Sequence, residues 1–110
     1  MKKVSELIEM VKASKQNRDL EMWSELGAVF DSNMEQLSKE IEDAAARGEL
    51  MCVFAIDNVN EFTKREWMAT KIMEAVMSYD RDYVCSSSYD ALRHAYVVVV
   101  KWGEFINERI

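Results

Sequence analysis

The side chains able to do chemistry in this chain are few and scattered. One histidine, His94, and two cysteines, Cys52 and Cys85, are its soft ligands and nucleophiles. Each stands alone in an apolar stretch, without the paired spacings of a zinc site. A Cys/His pair meeting across a sheet would be the one route to nucleophilic catalysis; two reduced core thiols and a strand histidine fit their surroundings better. Gly27, Gly48 and Gly103 are isolated, so neither a phosphate-cradling loop nor a nucleophile elbow can be built from them. Carboxylates abound, but none pairs with another in an apolar segment that would raise its pKa. The chain reads as non-enzymatic, with no metal and no cofactor. Tyr83, Tyr96 and Trp102, near Arg93 and Lys101, leave an alternative: an aromatic-lined pocket for a nucleotide-like ligand, making the protein a small binding module or sponge.

Charge is distributed more informatively than its total. The net charge of −6 argues against direct nucleic-acid binding, which needs clustered Lys and Arg. Residues 1–18 carry five cations against two carboxylates, a net +3, whereas residues 19–48 carry eight carboxylates against two cations, a net −6. Within that acidic segment Glu21, Glu25, Glu35 and Glu42 recur at spacings that put them on the side of a helix away from Trp23, Phe30 and Leu37, and together with Asp31 and Asp43 they are the candidate partner-binding residues. Such a stripe is either a solvated face or a surface for a basic protein, including a nucleic-acid-binding one whose site a carboxylate array would occupy in imitation of DNA.

The elements that position these residues follow from periodicity. Residues 93–102 hold four consecutive valines flanked by aromatics, a strand with both faces largely apolar and therefore central, with something to cover each face. Val4, Leu7, Ile8 and Val11 predict an amphipathic helix over about residues 3–15. A polar interruption follows at residues 15–19, where Asn17 or Asp19 can cap a new helix. From Leu20 the positions Trp23, Leu26, Phe30, Met34, Leu37, Ile41 and Ala45 predict a long second helix, weakest at Asp31-Ser32-Asn33 and stopped by Gly48. Residues 49–57 read as a buried strand. Thr63-Lys64-Arg65-Glu66 forms a capping box, with Phe62 and Trp67 as its hydrophobic staple, so a third helix starts at Thr63 and closes at Asp80-Arg81-Asp82. Residues 83–88 make a short edge strand, residues 89–92 a loop, and Phe105, Ile106 and Ile110 a docked C-terminal turn.

The fold expected is one α+β domain over residues 1–110. It has two N-terminal helices, then strand, helix, strand, strand, in a mostly antiparallel three-stranded sheet with 93–102 in the middle, packed on helices. Hydrophobic residues at 49% against 31% charged ones are enough for a core without disulfide or metal. The absence of a leader-like or membrane-spanning apolar run, together with unpaired cysteines, predicts a cytoplasmic protein with no membrane partner. The apolar edge at 49–57 lacks the Lys or Pro that usually guards an edge, and soft apolar residues line the helices. A homodimer through that edge or through the helices is expected.

The run Ile41-Glu42-Asp43-Ala44-Ala45-Ala46-Arg47-Gly48-Glu49, a strand containing Cys and Phe, a helix, Tyr83-Val84 and a strand closing on Trp102 resemble small acidic accessory proteins of lytic bacteriophages, of the host-takeover and anti-defence type. The likeness covers residues 37–102. It implies a protein that binds and inhibits a host nucleoid protein, polymerase or defence nuclease in the host cytoplasm, and it transfers no catalytic residue.

Overall fold

The computed structural model describes residues 1–103, so the C-terminal turn expected around Phe105, Ile106 and Ile110 lies outside the described residues. In order, the elements are α1 (Val4–Ala46), β1 (Met51–Ile56), α2 (Phe62–Tyr79), β2 (Val84–Asp90) and β3 (Ala95–Lys101). Two helices and three strands make an α+β fold.

The two N-terminal helices expected from the sequence are one continuous 43-residue helix. The polar stretch Lys15-Gln16-Asn17-Arg18 contains no Gly or Pro, and three of the four are good helix formers, so nothing forces a break. Asp19 does not cap. Its carboxylate accepts hydrogen bonds from Trp67 Nε1 at 2.8 Å and from Lys71 Nζ at 3.1 Å, which fastens α1 to α2. The helix also passes through Asp31-Ser32-Asn33. Asn33 is buried and exchanges two hydrogen bonds with Asn58, so its amide serves the β1–α2 loop rather than competing for its own backbone. Gly48 ends α1 as expected, with φ +80°. The Gly48 N–H donates to Ala45 O and the Glu49 N–H to Ala44 O, the paired bonds of a Schellman motif.

The sheet has the order β1-β3-β2 with both neighbours antiparallel to β3, so it is wholly antiparallel and the valine strand is central. The helices share one face of it. α1 packs on β1 and α2 on β3 and β2. The core joins Leu37, Ala44, Met68, Ala69, Ile72 and Val76 to Cys52, Phe54, Ile56, Val98 and Val100, all of one strand parity. Among the described residues, the expected cover on each side of the central strand is therefore present on one side only. The opposite parity sets Met51, Val53 and Ala55 beside Lys101, Val99 and Val97, with Val84, Ser86 and Ser88 on the far side of the same three; no described element packs on this face, although Val97 is buried.

The α2 start also differs from expectation. The helix begins at Phe62, its N-cap Glu61 makes no side-chain capping bond, and Thr63 lies inside the first turn. The expected staple is split. Phe62 stacks edge-on against Tyr89 and Tyr96, while Trp67 meets Trp23 at 4.9 Å. Arg65, nominally part of the capping box, instead donates to the carbonyl oxygens of Val59 and His94, bridging the two loops at this end of the sheet. Arg65→Ala frees both carbonyls and is expected to cost about 2 kcal/mol in urea unfolding, with Arg65→Lys recovering at most one contact.

β2 runs on to Asp90 rather than ending at Ser88, because the following turn is tighter than the expected loop. Asp90 Oδ1 accepts from the Leu92 and Arg93 N–H groups, and His94 takes a positive φ of 51°, a conformation in which His is among the tolerated residues. His94 thus belongs to the turn and not to the strand.

Candidate functional site

Cys52 and Cys85 both pair with Val100, from opposite sides, so two strand spacings separate them, about 10 Å between Cα atoms. A disulfide needs less than about 7 Å. His94 lies six residues from Val100, about 20 Å along the strand, so the Cys/His constellation is not assembled. Burial pushes both thiols up, which suits core side chains rather than nucleophiles. Among the described residues no three His, Cys, Asp or Glu side chains converge as a metal site would require.

The aromatic constellation is likewise divided. Tyr83 and Trp102 line a shallow groove with Ile41 and Ala45, whereas Tyr96 sits at the far end of β3 against Phe62 and Tyr89. Tyr96 lies six residues, about 20 Å, along the chain from Trp102, so the three aromatics do not converge on one pocket.

The carboxylates are brought together. With 100° between successive residues, the buried positions Leu26, Asn33, Leu37 and Ala44 define one side of α1, and Glu21, Glu25, Asp31, Glu35, Glu42 and Asp43 fall around the opposite side. All six are exposed. From Glu21 to Asp43 the array extends about 33 Å along a straight axis. Two members are engaged locally: Glu25 holds Lys64 at 2.6 Å, and Glu35 lies 3.9 Å from Lys39. Among the described residues, Glu21, Asp31, Glu42 and Asp43 have no cation within 4.0 Å. Beside Glu42 a groove of about 360 Å³ opens between α1 and α2, floored by Leu37 and Val76 and walled by Met34, Ile41, Tyr79 and Tyr83. The sequence pattern did not reveal this groove, because its two walls are some forty residues apart in the chain.

A second acidic position has a different task. Asp19 is held below the usual carboxylate range by the Trp67 N–H and then by Lys71. For Lys71, burial opposes the charge, but the hydrogen bond to Asp19 and the charge of Glu74 outweigh it and its pKa is raised. Lys64 is raised by its hydrogen bond to Glu25. A depressed carboxyl contributes stability above its unfolded pKa and loses it as pH falls through the lower folded value. The α1–α2 tie is therefore expected to loosen below about pH 4. In an acid titration read by near-UV circular dichroism of Trp23 and Trp67, Asp19→Asn should flatten that transition; an unchanged profile would contradict the assignment.

Comparison with protein-family models, with curated proteins and with solved structures returned no match. No described helix is long and apolar enough to cross a membrane.

Proposed function

We propose that the protein is a non-catalytic interaction protein whose α1 carboxylate face binds a basic protein, and that, in keeping with its resemblance to phage accessory proteins, this partner is a host protein that it inhibits. The observation that carries this reading is the grouping of Glu21, Glu25, Asp31, Glu35, Glu42 and Asp43 on the solvent side of one continuous helix, four of them with no cation within 4.0 Å among the described residues. Like charges at helical spacing repel one another, so the array costs the isolated protein stability. A cationic partner turns that cost into attraction and accelerates encounter. The adjacent groove offers a place for an apolar anchor, the kind of contact that carries affinity while the charges carry orientation.

A nucleic-acid-binding partner fits especially well. The length of the array, about 33 Å, approaches one turn of duplex DNA at about 34 Å, although six carboxylates are sparser than the phosphates of either strand. The test is capture from cell extract on immobilised protein, identification of the captured protein by mass spectrometry, and competition with duplex DNA. The expected result is a basic protein displaced by DNA. Capture that DNA leaves intact restricts the reading to basic partners that do not use their DNA-binding face, and capture of acidic proteins alone contradicts it.

A further inference from the structure

Among the described residues nothing packs on two apolar surfaces, and the fold prevents them from meeting each other within one molecule. The first is the N-terminal arm. Every residue of 1–18 is exposed, yet Val4, Leu7, Ile8 and Val11 form a stripe at i, i+3, i+4 and i+7, with Val4 71% exposed and Leu7 47%. The second is the side of the sheet away from the helices, where Met51, Val53 and Val84 are 42%, 48% and 40% exposed around the half-buried Val99 and the exposed Lys101, while Val97 in the central strand is buried at 8% and Ser86 and Ser88 make the β2 margin polar. α1 lies on the other side of that sheet and is unbroken from Val4 to Ala46, so the arm cannot fold round to cover it.

We infer that a second copy of this chain covers both, by reciprocal exchange of arms. The Asn33–Asn58 bond marks where α1 passes the end of β1, so residues 4–18 project about 22 to 43 Å beyond the sheet. The arm's stripe lies within about 50° of the side of α1 that faces its own sheet farther along. Consider a two-fold axis that lies in the plane of the sheet and crosses α1 at right angles. It sets a second sheet, turned over, beneath the projecting arm with its open face toward the stripe. The same rotation brings the second copy's arm under the first copy's open face, so one operator satisfies both surfaces and the contact closes.

The dimensions agree. The arm from Val4 to Arg18 is about 21 Å long, and a six-residue strand such as β1 is about 20 Å. The exposed parts of the side chains named come to about 300 Å² on each surface, so two reciprocal contacts bury about 1,200 Å², the lower end of the range for specific dimers. Glu21, Asp31, Glu35 and Glu42, about 90° or more round α1 from the stripe, stay outside and free for a partner.

Light scattering on the full chain at about 50 μM should report a mass near twice 12.8 kDa. The arm variant Leu7→Glu with Ile8→Glu and the face variant Val53→Glu alter side chains already exposed, so each should keep its circular dichroism spectrum while its mass falls toward 12.8 kDa. The decisive measurement mixes Ile8→Cys protein with Val53→Cys protein under mild oxidation. A disulfide joining the two variants to each other supports arm exchange, whereas self-linked Ile8→Cys pairs would show arm against arm and overturn it. A monomeric wild-type chain, or a dimer indifferent to either charged variant, also overturns it and leaves the two surfaces to a different protein.

Discussion

Replacing Glu21, Asp31, Glu35, Glu42 and Asp43 together, as Glu→Gln and Asp→Asn, is expected to weaken association with the basic partner about a hundredfold, taking the usual value of an exposed ion pair five times over. Glu25 is left in place because it holds Lys64 against α1, and its loss would mix folding with binding. The five changed side chains are exposed and, apart from the loose contact of Glu35 with Lys39, tie nothing together. Folding should therefore be unchanged or slightly improved as like charges disappear from the helix. Binding that survives the substitutions would remove the carboxylate face from the interface. An unfolding midpoint that dropped instead would make those side chains structural.

The largest effect on stability is expected at Ile72. It is fully buried near the middle of α2, in one core with Leu37 and Met68, beneath the strands that carry Phe54 and Val98. Ile72→Ala removes three methyl or methylene carbons with no loop nearby to collapse into the space, so it should cost about 3 kcal/mol. For a domain of this size that is a large share of the total and lowers Tm by about 15 °C. Met77→Ala on the exposed side of the same helix should stay within about 0.5 kcal/mol. Comparable losses at the two positions would mean that α2 does not pack by the side described.

The contrast between these two experiments follows the division between what could be read from the residues and what could not. Periodicity found the central strand, both its neighbours, the α2 span to Asp80 and the Gly48 stop, because valine runs, helical spacing and a left-handed glycine are local signals. Periodicity also placed Glu21, Glu25, Glu35 and Glu42 on the side of α1 away from Leu37, since that needs only the spacing, and the folded helix exposes Asp31 and Asp43 as well. Breaks and caps were less legible. Residues 15–19 look like a boundary, but continuity was decided by Trp67 and Lys71, which meet Asp19 from about fifty residues away. The Thr63 box is a motif in form only, because Phe62 is drawn to Tyr89 and Tyr96 and Arg65 is taken by two loop carbonyls. Cys52, Cys85 and His94 could be placed on strands one by one, yet only register shows that Val100 stands between the thiols and that His94 sits in a turn. The apolar sequence of β3 implies cover on two sides without saying that, among the described residues, elements pack on one side only. That omission, and an arm with no surface of its own to rest on, are properties of the assembled fold.

The salt dependence of binding tests the central claim most directly. With the captured partner purified, its Kd for the wild-type protein should weaken at least about tenfold between 50 and 300 mM NaCl, and the five-carboxylate variant should show a much flatter dependence, because the screening length for opposed exposed charges shrinks from about 14 Å to about 6 Å over that range. An affinity indifferent to salt, or equally steep in the variant, would contradict a carboxylate face as the binding surface.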